Sequence, residues 1–291
     1  MAYLIEYCVN IDGERTEEMP DWMAWEVMKY AFLATFLAAL AAGIVGSLVV
    51  VNRMVFLAGG IAHAAYGGVG IGIFFGIPLL PSTIGFSVLC SIILGYLSDR
   101  NRHRSDALIG TIWAAGMSIG ALLINLSPGY RPDIMGYLFG SILTVTPTEL
   151  RSLMLLDVVL IACCYFWYHE LLAVSYDHEF ATARGLSVRF FYNLLLIFSA
   201  VTVVFLMRLV GLILVIALLS IPAYMVEPRV PSLAHMFVGC TLVSLLFLIV
   251  GLLVALCFNL QPGPAIILTA STIFAVTEAF SLLRFKIRRL V

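Results

Sequence analysis

Charge is what this 291-residue sequence has least of: Asp, Glu, Lys and Arg together make up 11% of it, against about a quarter in ordinary soluble domains. So few charges cannot clothe the surface of a water-soluble body of this size. The formal net charge is −1, with no basic tract or aromatic-basic interleaving, which excludes a nucleic-acid-binding face. No CxxC pair occurs among the six cysteines (Cys8, Cys90, Cys163, Cys164, Cys240, Cys257), five of which lie in or beside apolar runs, so they read as small hydrophobes. A P-loop is missing, and so is any HExxH or paired acidic motif, which removes nucleotide hydrolysis and intramembrane metalloprotease chemistry from this chain. The first residues carry Glu6, Asp12, Glu14, Glu17, Glu18 and Asp21 but only Arg15 as a cation, so no basic secretory leader is present and the mature chain is expected to begin near Met1.

What is abundant is apolar surface. Hydrophobic residues make up 62% of the chain and the mean hydropathy is +1.07. They fall in runs of about 20, the length that crosses about 30 Å of hydrocarbon as helix. The short alternating segments of a membrane barrel are absent. Spans are expected at about 28–51, 54–77, 82–98, 106–126, 150–170, 190–207, 209–225, 232–257 and 264–283. The fold class is therefore an all-α polytopic helical bundle of about nine transmembrane helices. Residues 134–146 are short and glycine-containing and read as a re-entrant or interfacial piece; counting them as a span gives ten. The chain divides into an external or interfacial segment 1–27, a transmembrane domain 28–283 and a basic tail 284–291. Trp22, Trp25 and Tyr30 suit an interfacial aromatic anchor.

Loops rich in Lys and Arg stay cytoplasmic. Placing Arg53 inside puts eleven of the 16 basic residues on that side, including Arg100, Arg102, Arg104, Arg184, Arg189, Arg229 and the tail. The N-terminus is then outside and the C-terminus inside.

Three local features carry chemistry. Between the fifth and sixth spans, Tyr176-Asp177-His178-Glu179-Phe180-Ala181-Thr182-Ala183-Arg184-Gly185 reads as a short surface helix, with alanines that permit close approach and Gly185 able to end it in a left-handed cap. Such a helix suits docking into a groove of a cytosolic partner, and equally an ordinary interfacial connector. In the second span Gly60, Ala64, Gly68, Gly72 and Gly76 recur every four residues, a smooth ridge for close helix packing. On that span sits His63, an ionisable side chain inside the membrane; such groups usually face a cavity, a partner or a transport path. Gly59 and Gly67 flank it at one turn and leave space beside the imidazole, a good ligand for zinc, copper, nickel or iron. The alternative is a histidine bonded to a neighbouring helix. Asp157 and Glu278, within or close to spans, are lesser candidates to line a passage. His103, His169, His178 and His235 fall near cytoplasmic span ends and read as surface groups.

The spacing Glu179-x-Ala181-x3-Gly185 resembles the E-A-A-x3-G coupling loop of ATP-binding cassette (ABC) importers. Leu209-Val-Gly211-Leu-Ile-Leu-Val-Ile-Ala217-Leu-Leu-Ser-Ile-Pro222-Ala223 resembles the VG-x-LL-x-x-ALL-x-x-P-A block of the zinc/manganese/iron type of metal permease. Arg53-Met54-x-Phe56-Leu57-x5-Ala62-His63 and Leu138-Phe139-Gly140-Ser141-Ile142-Leu143 are similar to further blocks of that family, so the resemblance spans roughly residues 28–283. It implies a permease subunit of a prokaryotic inner-membrane importer, with Asp177, Glu179, Ala181 and Gly185 contacting the ATPase. It further implies two cytosolic ATPase subunits, an external metal-binding protein and a second permease copy. It implies no permanently bound cofactor and a divalent transition-metal cargo, zinc favoured with manganese or iron as the other ions. Many family members carry an aspartate four residues before the histidine, where this chain has Gly59. With the carboxylate gone, the balance leans from harder manganese toward zinc. A chelate, siderophore or cobalamin-type cargo would share the coupling loop but need a wider chamber. A secondary transporter often shows internal repeats, and no convincing one is present.

Overall fold

A computed structural model describes residues 21–100, 105–127, 140, 142 and 145–288. Among the described residues there is no strand. The helices are α1 (Asp21–Val51), α2 (Val55–Phe75), α3 (Leu79–Arg100), α4 (Ser105–Leu126), α5 (Pro147–Phe166), α6 (Tyr168–Tyr176), α7 (His178–Ala183), α8 (Val188–Val210), α9 (Leu212–Val226), α10 (Leu233–Cys257) and α11 (Pro262–Arg288), with a 3-10 turn at Glu227–Arg229. Among the described residues eight of these are long and apolar enough to cross a membrane, or nine if the bent pair α5–α6 is counted as one broken span. The all-α polytopic bundle read from the sequence is the fold found.

The central element is α1, which packs on α10, α9, α5 and α8. It is buried around most of its circumference, from Ala34 to Val49, and small residues let its neighbours close in. A Cβ at Gly46 would stand 2.6 Å from the Leu219 carbonyl oxygen, and one at Gly43 would run into the backbone of Thr241. In hydrocarbon such backbone proximity is the main source of helix association, because lipid tails are as apolar as leucine and no water is expelled. Outward faces carry large apolar side chains such as Leu122, Leu155, Tyr165, Phe166 and Leu242, as lipid-facing surfaces do.

The helices depart from the expected spans in two places. The run 150–170 is not one straight helix: the chain bends by 76° between α5 and α6. Trp167, at φ −107° and ψ 25°, leaves the helical region there, and its ring is gripped edge-on by Phe190 and Phe191 at 6.4 and 6.3 Å. No proline or glycine announces this kink. At the chain's start the helix begins at Asp21, so it runs through the second part of the segment 1–27, and α11 continues through Arg288 into the basic tail. Most of 134–146 lies outside the described residues, but Gly140 and Ile142 are placed. Gly140 takes a left-handed φ of 65°, and Ile142 is fully buried.

The ends of the helices gather at two opposite faces. At one, Val50 to Arg53 of the α1–α2 link, Ser175, Tyr176 and His178 around α6–α7, and Glu227 after α9 line a cleft of about 660 Å³. At the other end of α8, Arg208 pairs with Glu149 at the start of α5 (2.7 Å). There Gly140 lies directly against the Val210–Gly211 junction. Alternate helix ends meeting at alternate faces is what repeated crossing of one layer requires.

Candidate functional site

The short helix α7 is built by its own sequence. Asp177, in extended conformation, is its N-cap, and its carboxylate Oδ1 accepts from the Phe180 N–H at 2.9 Å. This satisfies one of the donors a helix start leaves orphaned. At the other end Gly185, at φ 81°, donates its N–H to the Thr182 carbonyl and Leu186 donates to the Ala181 carbonyl, both at 3.0 Å. That pair of bonds is a Schellman ending, which needs a residue content with positive φ. Ala181 is fully buried while Glu179 and Phe180 are exposed. The helix therefore turns an acidic and an aromatic side chain outward and keeps its small residue underneath. It does not float free: Asn52 of the α1–α2 link donates to the Ser175 hydroxyl at 2.9 Å and to the Leu48 carbonyl at 2.8 Å, tying the approach to α7 to the end of α1. Arg53 beside it takes a left-handed φ of 56°.

His63 sits two turns into α2, which packs chiefly on α4 and α3. Its imidazole stacks on the Trp113 indole of α4, with ring centroids 4.1 Å apart and planes 11° from parallel. The Nδ1 atom is buried and has no hydrogen-bond partner. The surroundings differ from the open space expected on both sides. A Cβ at position 59 would meet only Ile216 of α9, at 3.8 Å, whereas one at position 67 would fall 2.6 Å from the Phe86 ring and 2.9 Å from the Gly116 carbonyl. The gap beside Gly67 is thus already filled, and the free side lies toward Gly59.

The glycine ridge divides its work. Gly60 abuts Ile109 of α4, and a Cβ at Gly68 would stand 2.6 Å from the Thr83 Cα of α3. One at Gly72 would stand 2.9 Å from a Leu79 methyl. Gly76 differs from the expected packing role: it lies past the helix end at φ 67° with nothing within 4 Å, and its N–H caps α2 by donating to the Gly72 carbonyl. Its requirement is conformational.

Asp157 is buried at 2% exposure, and neither carboxylate oxygen has a hydrogen-bond partner. It lies on the buried face of α5 with Leu150, Leu153, Leu160 and Cys164, and α5 packs mainly on α1. Glu278 is half-buried on α11, one turn beyond Phe274, whose ring meets Tyr224 of α9 at 5.7 Å. The three candidates thus stand on three different helix pairs. Among the described residues no three His, Cys, Asp or Glu side chains gather into a metal cage.

Several contacts were not read from the sequence. Trp113 gave no signal beyond being a large aromatic in a span of alanine, glycine and isoleucine. The Glu149–Arg208 pair had one: Thr146-Pro147-Thr148-Glu149 is a capping-box pattern, and both reciprocal bonds form, with Glu149 N–H donating to Thr146 Oγ1 and Thr146 N–H donating to Glu149 Oε2 at 3.0 Å.

Residues 24–281 match the ABC 3 transport family. The chain is 44% identical to the uncharacterized membrane protein slr2045 of Synechocystis sp. over 91% of its own length and 94% of the relative's. It is 26% identical to the manganese transport system membrane protein MntC of Listeria monocytogenes, covering 89% of this chain and 92% of that one. Its fold superposes on PsaBC from Streptococcus pneumoniae, solved in complex with Fab, with a TM-score of 0.79, 25% identity and 94% of each chain covered. Matched along nearly its whole membrane domain, the chain belongs to the ABC 3 transport family, the metal-permease group of ABC transporters that its sequence blocks resemble.

Proposed function

We propose that this chain is the membrane-spanning subunit of an ATP-driven importer for divalent transition-metal ions, with zinc the favoured cargo. The observation that carries the reading is α7. A six-residue helix capped at both ends, with Ala181 buried and Glu179 and Phe180 outward, is a rigid docking element at the face where positive residues concentrate. Two cytosolic ATPase subunits grip the Asp177–Gly185 elements of two permease copies related by a two-fold axis. An external metal-binding protein delivers the ion to the opposite face. The N-terminus lies outside the prokaryotic inner membrane and the C-terminus inside.

Binding and hydrolysis of ATP in the partner rock the helices between outward and inward access, while the permease performs no covalent chemistry. His63 faces the path, and its unpartnered Nδ1 supports this, because a lone imidazole binds an ion weakly enough to release it. Gly59, in place of the family's frequent aspartate, shifts preference from manganese toward zinc. Asp157 and Glu278 are secondary candidates along the passage. The relative named for manganese transport keeps manganese as the competing cargo, and competition between the two ions in uptake assays distinguishes them.

Replacing Glu179 and Gly185 should abolish metal uptake in cells while the protein still reaches the membrane. Undiminished uptake in that variant would overturn the importer reading. His63→Ala should impair ion passage without preventing assembly with the ATPase.

A further inference from the structure

We propose that Trp113 is the positioning residue of the ion path: it holds the His63 imidazole in a fixed plane so that the ring's nitrogen-bearing edge, and not its face, is offered to the ion. The inference rests on the reading of His63 as the ion-facing group. A metal binds imidazole through the in-plane lone pair of a ring nitrogen. A histidine free to rotate about its outer torsion presents that lone pair in many directions and loses the freedom on binding. Here one face of the ring is covered by the indole, at 4.1 Å between centroids and 11° between planes, so rotation toward that face is opposed while the buried Nδ1 stays without a protein partner.

The indole is itself held in place. Its Nε1–H donates to the Met117 sulfur one turn along α4, at 2.9 Å. The helix that carries it comes close enough to cover His63 because position 116 has no side chain: a Cβ there would stand 2.6 Å from the Ala64 Cα and 2.8 Å from the Ala64 carbonyl oxygen. Ala64 is the residue next to His63, so the contact that seats α4 and the stack that orients the imidazole lie side by side. The Gly116–Ala64 backbone contact seats the helix, the Met117 sulfur accepts from the indole, and the indole plane lies on the imidazole. An aromatic of different shape but similar flatness would do the same work, and a flexible aliphatic side chain would fill the space without fixing the ring.

The test uses the full-length purified chain in detergent, with zinc ion alone as the probe. Zinc affinity is measured by equilibrium dialysis for the parent and for Trp113→Phe, Trp113→Leu, Trp113→Met and His63→Ala, and the His63→Ala value defines binding elsewhere on the protein. Modification of His63 by diethyl pyrocarbonate, mapped by mass spectrometry, reports how freely the ring nitrogens are presented. Trp113→Phe should keep the affinity within about 2-fold, and Trp113→Leu should weaken it by about 2- to 12-fold, the worth of an aromatic pair beyond its buried area. Thermal unfolding should stay near the parent, and His63 should react faster. Trp113→Met repeats the comparison with a second aliphatic should the leucine variant fail to fold. Zinc affinity in the aliphatic variants equal to the parent's, with affinity lost in His63→Ala, would overturn the positioning role and leave His63 in place. Affinity retained in His63→Ala would remove the ion-facing reading of His63, and the role of Trp113 with it.

Discussion

Replacing Gly116 by alanine and replacing Gly110 by alanine are the same chemical change on the same helix, yet they should move stability in opposite directions. In a helix interior alanine is favoured over glycine by about 0.5–1 kcal/mol, because it has less backbone freedom to lose. At Gly110 a Cβ meets nothing within 4 Å, so that gain is kept. At Gly116 the new methyl would stand 2.6 Å from the Ala64 Cα and 2.8 Å from the Ala64 carbonyl oxygen. These are backbone atoms and cannot rotate aside, so α2 and α4 must separate, and overpacking of this kind costs about 1–3 kcal/mol. The propensity gain is common to both variants, so the difference between them is the overpacking cost, about 1–3 kcal/mol, or roughly 2–12 °C at the 2–4 °C per kcal/mol usual for chains of somewhat smaller size. A thiol-reactive fluorogenic dye reads unfolding directly, since Cys90, Cys164 and Cys240 are free and buried. Gly116→Ala should unfold at the lower temperature and Gly110→Ala at or above the parent's. Equal midpoints, or the reverse order, would refute the close α2–α4 contact on which the His63–Trp113 geometry depends.

Gly185→Ala meets no atom within 4 Å but sits at φ 81°, so it should cost only the strain of a left-handed alanine, about 1–2 kcal/mol, and should lower uptake more than expression; normal uptake would mean the Schellman ending of α7 is dispensable. Glu149→Gln keeps a capping side chain but removes the charge facing Arg208, a partly exposed pair, and should cost under about 1 kcal/mol. Glu149→Ala loses the cap as well, about 1 kcal/mol more, and a larger loss for glutamine than for alanine in thermal unfolding would contradict this division. Asp157→Asn exchanges a buried carboxyl that no donor compensates for an uncharged amide of the same shape, so the midpoint should hold or rise, by up to about 1–3 kcal/mol. A clear drop would mean that the carboxylate has a partner essential to the fold, and unchanged uptake would remove it from the passage.

The membrane architecture was legible because composition and run length are properties of the chain alone: 20-residue apolar runs must be helices where no water can satisfy the backbone. The short helix α7 and its Gly185 ending were legible for a like reason, since the residues that make them act within ten positions of one another, while the Asp177 N-cap was not read. What could not be read depends on which helices become neighbours. The ring of Trp167, at the kink, packs against Phe190 and Phe191, some twenty residues away, and the imidazole of His63 against an indole fifty residues on. Gly67 shows the limit most plainly. A glycine one turn from a histidine looks like space in one dimension, but Phe86 of α3 and the backbone of α4 fill it. Gly76 shows the converse, a glycine that continues a packing rhythm yet serves as a left-handed cap.

Two of the family-like blocks, 138–143 and 209–223, gain a common physical reason from the fold. Gly140 lies so close to the Val210–Gly211 junction that a side chain at 140 would overlap backbone. Gly211 itself turns the chain at φ 87° and ψ 155° between α8 and α9. Gly140 is needed because that junction is there, and Gly211 because the turn requires a positive φ, so the two glycines meet at one contact. From that turn α9 descends past Gly59, with Ile216 lying beside the free flank of His63. It ends at Glu227 in the cleft shared with Asn52, Ser175 and His178 beside α7. One helix thus touches the buried glycine contact at one face, the residue four before His63 in the middle and the cleft beside α7 at the other.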